Sequence, residues 1–450
     1  MDLKGKKVLV FGAGKSGIGA ADLLGSVGAQ PIIYDGNENL DKEAVLHKTN
    51  GTYTPEIWAG AFPEGEMESL DLVVLSPGVP TDLPLVKSFY EKGLPVWSEV
   101  ELAYRTGKGE VLAITGTNGK TTTTALLGKI MGDARESVFV VGNIGTAYTS
   151  KSLEMREDSV TVAEISSFQL ETTKEFCPVV SALLNVTPDH LNRHKTMENY
   201  TLAKAKIFAN QGEDGYFVYN ADDAICVKTA ALCHAKTVPF SRKKQLDFGA
   251  FVRDGKIVIS DGTSVTEICG ADELQMPGLH NLENALAGAA IAYFAGIAAE
   301  PIADTLRSFT GVSHRIERCG SKNGVFFVND SKGTNPDAAV KAVISFENII
   351  LIAGGYDKGS EYDEFIASFD GHVKELVLMG VTAPKIREAA EKVGFVNIHN
   401  VKNMKEAVEV SYRLAEPGDT ILLSPACASW GQFDNYEQRG DMFKEYVRNL

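Results

Sequence analysis

Ile114-Thr-Gly-Thr-Asn-Gly-Lys-Thr-Thr122 follows the apolar run VLAIT (111–115) and leads into a helical pattern over Thr121–Met131. Strand, glycine loop and helix in that order make a cradle for phosphate. Gly116 and Gly119 let backbone N–H groups approach phosphate oxygens, and the helix start adds positive potential. Lys120 is placed to reach the terminal phosphates of a nucleotide and the Thr121 hydroxyl to reach a magnesium ion. The spacing departs from G-x-x-x-x-G-K-[ST], because Ile114 stands at the first glycine position.

Outward from this loop, apolar runs alternate with helical patterns along the whole chain. They are VLVFGA (8–13), PIIYD (31–35), LVVLS (72–76), SVFVVG (137–142), SVTVAE (159–164), VSALLN (180–185), GYFVYN (215–220), GVFFVND (324–330), NIILIAG (348–354), ELVLMG (375–380) and DTILLSP (419–425). Continuous rather than alternating runs suit parallel strands covered on both faces, so the fold class is α/β with open, mostly parallel sheets and flanking helices. At 450 residues three domains are expected. Composition breaks at 106–110 and 310–314 divide the chain into 1–107, 108–311 and 312–450. Residues 241–275 read as a hairpin excursion of the middle segment, and the Ala-rich stretch Ala285 to Ala299 as a buried helix too short to span a bilayer.

The charge balance, 44 basic against 59 acidic residues, gives −15 and speaks against sequence-independent nucleic-acid binding. Six cysteines without CxxC spacing speak against a disulfide scaffold or structural zinc, and reduced thiols are expected. The start MDLKGKKVLVFGAG has no signal-peptide pattern. A soluble, cytoplasmic protein is therefore expected, with no membrane and no obligate protein partner.

Gly12-Ala-Gly-Lys-Ser-Gly17 between a strand and a helix, with Asp35 closing the next strand, fits a diphosphate turn with an acid placed for a ribose or base. Read alone it is equally a fingerprint for NAD, and an oxidoreductase is one alternative; that reading leaves the 116–121 loop unexplained. A non-catalytic nucleotide-binding regulator is another. Glu164 and His190 close successive strands beside the phosphate loop, where a carboxylate and a neutral imidazole suit magnesium. Asp189 and His194 read as turn and surface residues. By composition Lys204 and Lys206 read as two solvated lysines on different helix faces. In the last segment Arg315, Asp330 and Lys332, the Gly354-Gly-Tyr-Asp-Lys358 stretch, and Ser424 through Phe433 put anion-binding groups at three strand ends, a pocket for a carboxylate-rich small molecule. Cys427 reads as a buried apolar thiol rather than a nucleophile.

Taken together, GTNGKTT, AEISSFQLE, NVTPDHL, GLHNLENALA, HRIE, NDSKGTNPDA and LSPACASWGQF resemble the Mur ligase family, most closely its D-glutamate-adding branch. The resemblance covers nearly the whole chain. It implies a Rossmann-like N-terminal domain, a P-loop ATPase-like central domain and a Rossmann-like C-terminal domain. It further implies ATP-driven amide synthesis through an acyl phosphate, joining D-glutamate to UDP-N-acetylmuramoyl-L-alanine, a step of peptidoglycan precursor synthesis. Another Mur-type or folylpolyglutamate-type ligase is the alternative within the same chemistry. The implied cofactors are ATP and magnesium, two ions. By the resemblance Lys120, Glu164, His190 and Lys204 are the catalytic set, and Thr121, Glu164, His190 and Lys204 serve metal, with Lys204 carbamylated. Gly116, Thr117, Asn118, Gly119, Lys120, Thr121, Thr122, Asn281, Asn284, Arg315 and Asp330 would hold ATP. Lys15, Ser16, Asp35, Ser76, Pro77, Gly78 and Asn143 would hold the UDP substrate, and Lys332, Thr334, Lys358, Ser424 and Phe433 would receive D-glutamate.

Overall fold

A computed structural model of the protein describes residues 2–143, 145–276, 278–357 and 359–450, apart from the side chain of Asp337. The described residues form three sheets. The chain folds into two compact units, Met1–Phe309 and Thr310–Leu450, so the first two sheets share one unit and the third has its own.

Every apolar run named above is a strand, displaced by no more than a residue or two at its ends. The first sheet runs Glu56–Ala59, Gln30–Asp35, Lys7–Phe11, Leu72–Leu75, Val96–Ser98, all parallel. Its strand order reverses direction between Lys7–Phe11 and Leu72–Leu75. Ligands of open α/β sheets sit in the crevice at such a point, beyond the strands' carboxyl ends. Two turns lie there: Gly12–Gly17 after one strand and Ser76-Pro77-Gly78 after the other.

The turn at 12–17 shows what its glycines are for. Gly12 has φ 107°, and a Cβ there would press on the Ser76 side chain. A Cβ on Gly17 would overlap the Gly12 carbonyl oxygen, so the third glycine lets helix Lys15–Ser26 start against the strand. Gly14 is different: its φ is −79° and nothing lies within 4 Å of a Cβ built on it. Packing does not require Gly14, which leaves it for close approach by a ligand.

The second sheet has nine strands, ordered Val265–Gly270, Lys256–Ser260, Gly249–Arg253, Lys236–Ser241, Tyr216–Asn220, Val180–Leu183, Glu110–Thr115, Val160–Glu164, Val138–Gly142. Residues 241–275 carry hairpin strands, and these belong to the second sheet itself. Gly249–Arg253 pairs parallel with Lys236–Ser241, and the next two strands add antiparallel, so the segment widens the same sheet. The buried helix ends sooner than expected. It spans Leu279–Phe294, and Gly296 at φ 82° turns the chain into a second helix, Ala299–Ser308. Ala285, Ala287, Ala289, Ala290 and Ala292 are fully buried, and Gly288 lies against Leu126 of helix Lys120–Ala134. Small side chains bring these two helices close, which sets Asn284 beside the phosphate loop.

The third sheet runs Glu317–Lys322, Val325–Asn329, Thr420–Leu423, Ile349–Ala353, Val373–Leu378, Ile398–Asn400, with the first strand antiparallel. Among the described residues no helix is long and apolar enough to cross a membrane.

The turn yields a contrast between two single-methyl substitutions. Gly17→Ala must displace the Gly12 backbone and should cost about 1–3 kcal/mol of stability, in the range of other overpacking changes. Gly14→Ala should stay within about 0.5 kcal/mol of the parent. Urea or thermal unfolding of both variants checks this, and equal losses would contradict the assignment of the two glycines.

Candidate active site

The carboxyl ends of three adjacent strands converge at the centre of the second sheet. Ile114 stands in register with Glu164 and Thr115 with Leu183, so the loop after Glu110–Thr115 lies between the ends of the strands that carry Glu164 and Asn185. The loop is locked to the 185–187 stretch. Thr117 N–H donates to the Asn185 carbonyl at 3.0 Å, Asn118 N–H to Asn185 Oδ1 at 2.8 Å, and Asn185 Nδ2 to the Asn118 carbonyl at 3.1 Å. Gly119, at φ 83°, is the residue before helix Lys120–Ala134; a Cβ there would collide with Asn284 Oδ1. Asn284 accepts from Thr123 Oγ1 at 3.3 Å and donates to Asn281 Oδ1 at 3.2 Å. Gly116, Thr117, Asn118, Gly119, Lys120, Thr121, Thr122, Asn281 and Asn284 are thus brought together in one unit.

The loop's electrostatics centre on one carbonyl. Lys120 Nζ donates to the Gly116 carbonyl at 2.8 Å and to that of Thr117 at 2.9 Å. Lys204 Nζ, from helix Met197–Ala205, donates to the same Gly116 carbonyl at 2.8 Å. Two lysine side chains meet at one neutral acceptor. Lys204 is 1% exposed and lies over the Tyr200 ring at 4.5 Å. Burial, and then the neighbouring Lys120 charge, hold its pKa well below the ordinary lysine value. The expectation of a solvated lysine is therefore wrong for Lys204. Composition cannot see that its helix turns this face inward, while Lys206, exposed, follows on another face.

Glu164 is 1% exposed at its strand end. Its Oε1 accepts from Asn143 Nδ2 at 2.9 Å, and its Oε2 is buried with no hydrogen-bond partner among the described residues. An orphaned carboxylate oxygen beside a phosphate loop fits a divalent cation, since a buried acceptor left bare otherwise costs about 1–3 kcal/mol. Among the described residues no group of three or more His, Cys, Asp or Glu converges on one point.

His190 is exposed and adopts φ 53° at the start of the short helix Leu191–His194. Its ring lies 4.8 Å from that of Phe168. His194 is not a surface residue: it is buried, within 3.0 Å of Ser167 Oγ, and its ring meets Phe168 and Tyr200. Tyr200 in turn brings its hydroxyl within 3.2 Å of Thr117 Oγ1. Phe168, inside the AEISSFQLE stretch, and Tyr200 join these rings, though the sequence reading gave neither a role. The one signal for them is a pair of aromatic residues inside otherwise polar strand-end stretches.

At the first sheet, Asp35 accepts from the Ala13 and Asn37 N–H groups, both at 3.0 Å, and so closes the Gly12–Gly17 turn. Ser76 Oγ donates to the Gly12 carbonyl at 3.3 Å, which joins the two turns of the crevice. Lys15 is exposed beside Ser16 and donates to the Gly145 carbonyl at 2.9 Å, two residues after Asn143. Pro77 and Gly78 complete the second turn.

In the other unit Asp330 is buried at the end of Val325–Asn329. It accepts from Ser424 Oγ at 2.7 Å and from Ile316 N–H at 3.3 Å; burial pushes its carboxyl up to about 7, with Ser424 and the Arg315 charge pulling the other way. The Ser424 proton is therefore directed at Asp330. Lys332 Nζ lies 5.8 Å from the Tyr436 ring, and its N–H donates to the His314 carbonyl. Thr334 follows at the same strand end, and Phe433 packs partly buried against the core around Phe443. Lys358 lies outside the described residues. Cys427 is buried against Tyr362 and Thr382, with its thiol pKa raised by burial, as a packing residue should be.

Lys204 gives a testable consequence. Its pKa is lower in the folded chain, so between that value and the ordinary one near 10.5 the unfolded chain binds a proton the native chain does not. Stability then rises with pH through this window. Lys204→Met, which keeps the volume and removes the charge, should raise Tm by a few degrees at pH 7 in carbon-dioxide-depleted buffer, and the gain should shrink towards pH 10. A lowered Tm at pH 7 would contradict the reading of a lysine whose charge is disfavoured by burial and by Lys120.

Comparison with known proteins agrees along the whole chain. Residues 6–98 match the family model for the Mur ligase MurD-like N-terminal domain, 114–292 the Mur ligase middle domain, and 314–427 the Mur ligase glutamate ligase domain. The chain is 51% identical to the UDP-N-acetylmuramoylalanine–D-glutamate ligase of Lachnospira eligens and 45% identical to that of Clostridioides difficile, each over 100% of both chains. In fold it is similar to the solved UDP-N-acetylmuramate–alanine ligase MurC of Thermotoga maritima, with TM-score 0.58 at 21% identity over 99% of both chains. It is also similar to the MurF ligase of the same organism in complex with ADP, with TM-score 0.57 at 18% identity, covering 99% of this chain and 96% of that one. With identities near one half over full length, the chain belongs to the Mur ligase family.

Proposed function

We propose that the chain joins the carboxylate of UDP-N-acetylmuramoyl-L-alanine to the amine of D-glutamate with cleavage of ATP to ADP and phosphate, in the cytoplasm, as a step in making peptidoglycan. The observation that carries the reading is the Gly116 carbonyl with two lysines on it and the bare Glu164 oxygen nearby. A cradle with clustered positive charge is made for a polyphosphate. The relatives' printed name supplies the rest: an acid, an amino acid and a ligase.

In this reading residues 1–107 bind the UDP end, 108–311 bind ATP and 312–450 bind D-glutamate. Lys15, Ser16, Asp35, Ser76, Pro77 and Gly78 receive the nucleotide sugar. Its far carboxylate comes to Asn143. That carboxylate oxygen attacks the γ-phosphorus; an O–P bond forms, the β–γ bridge breaks, and ADP leaves. Lys120 and the N–H groups of Gly119–Thr122 stabilise the charge on the transferring phosphoryl group, which is mostly a matter of positioning and electrostatics. The D-glutamate amine then attacks the acyl carbonyl, phosphate leaves with the electron pair, and the amine gives up a proton. Asn281, Asn284, Arg315 and Asp330 hold the nucleotide, while Lys332, Thr334, Lys358, Ser424 and Phe433 receive D-glutamate.

Thr121, Glu164, His190 and Lys204 are the residues that would hold magnesium, which supplies charge neutralisation between the phosphates. Lys204 suits this as a carbamate. Carbamylation needs an unprotonated amine, and burial beside Lys120 favours one. The product is an anion in place of a cation, which removes the repulsion across Gly116.

Phosphate release with UDP-N-acetylmuramoyl-L-alanine and ATP tests the reading across four amino acids. D-glutamate should support turnover; L-glutamate, D-alanine and lysine should each be at least about tenfold poorer, since a site with two cations and two hydroxyls leaves donors unpaired or meets a third cation. Equal rates with D- and L-glutamate would remove the stereochemical part. A preference for lysine would overturn the choice of amino acid.

A further inference from the structure

We propose that Arg193 is a positioning residue that ties the turn for the UDP end of the substrate to the elements that act at its carboxylate end. The proposal rests on the reading of the substrate given above and deepens it.

Arg193 lies in the helix Leu191–His194, three residues after His190, and its side chain is only 12% exposed. Its guanidinium reaches out of the second sheet's layer to the first. Nη2 donates to the Val79 carbonyl at 2.9 Å and Nη1 to the Pro77 carbonyl at 3.4 Å, both in the turn after strand Leu72–Leu75. The other edge pairs with Glu171, Nη2 to Oε2 at 2.5 Å and Nε to Oε1 at 3.4 Å. The guanidinium carbon lies 4.7 Å from the centre of the Phe168 ring, the ring that also meets His190 and His194. One planar cation therefore touches three things at once: the 77–79 turn, the segment that follows Glu164, and the ring beneath His190.

The rigid fork of arginine is what makes this a fixed spacer rather than a general attraction; a lysine is a point charge and cannot hold two carbonyls and a carboxylate in one plane. The substrate is long, with a diphosphate at one end and the reacting carboxylate at the other. Its binding energy at the remote end accelerates the reaction only if the distance between the two subsites is held. Arg193 bonds to both sides of that distance and stands in neither subsite. Its expected signature is a loss confined to the substrate that spans both ends.

The test compares the full-length enzyme with Arg193→Met and Arg193→Lys. Steady-state phosphate release gives kcat, KM for UDP-N-acetylmuramoyl-L-alanine and KM for ATP, and UDP as a competitor gives an inhibition constant for one end alone. For Arg193→Met, kcat/KM for the nucleotide-sugar substrate should fall at least tenfold, while the ATP KM and the UDP inhibition constant stay within threefold. Arg193→Lys should recover part of the loss. If Arg193→Met does not fold, Arg193→Lys and Glu171→Gln carry the test, because each loosens the same tether. A kcat/KM within threefold of the parent overturns the proposal, as does a parallel loss in UDP inhibition or in ATP KM. A parent enzyme with no D-glutamate-dependent phosphate release overturns instead the reading of the substrate on which the proposal stands.

Discussion

The Gly116 carbonyl accepts from two lysine side chains at once, and the rest of the site follows from that contact. A neutral oxygen does not cancel the charge of a lysine closed off from water, and a second lysine beside it adds repulsion. The lysine pair therefore concentrates positive potential at the end of the central sheet, which an anion would offset. A polyphosphate would offset it from the solvent side, and a carbamate on Lys204 would offset it from within. Natural active sites commonly hold such charge where function needs it.

The fold explains why the charge falls there. Parallel strands send their carboxyl ends, with the loops that follow, to one edge, and helix starts add positive potential at the same edge. Glu164, the Gly116–Lys120 loop and Asn185 come from three neighbouring strands of one sheet, so their spacing is set by backbone hydrogen bonds. Lys204 comes from a helix packed behind the loop. Its position depends on Tyr200, whose ring supports the lysine nitrogen and whose hydroxyl meets Thr117. The buried Glu164 oxygen, without a hydrogen-bond partner among the described residues, puts a negative group at the same sheet edge as the lysine pair.

Much of this was legible from residues alone. Continuous apolar runs such as VLAIT and NIILIAG located the interior strands, because a strand buried on both faces needs no alternation. GTNGKTT announced the phosphate loop, because few sequences put glycine, lysine and threonine between a strand and a helix for any other reason. What was not legible had a physical cause in each case. Lys204 and Lys206 are two residues apart at a helix end, and which of them faces inward depends on tertiary packing. His194 looks like a surface residue until Phe168 and Tyr200 enclose it. The strands between 249 and 270 extend one end of the second sheet by antiparallel pairing, with Val265–Gly270 at the edge. Arg193 has no motif; only the carbonyls of Pro77 and Val79, more than a hundred positions away, give it a meaning.

The charge account is tested most directly by carbon-13 NMR of the enzyme equilibrated with labelled bicarbonate. A protein-bound carbamate resonance should appear in the parent, persist in Lys206→Met, vanish in Lys204→Met, and weaken on acidification as the amine regains its proton. A parent spectrum without that resonance, or one that survives in Lys204→Met, would contradict the claim that the clustered charge at Gly116 is resolved on Lys204.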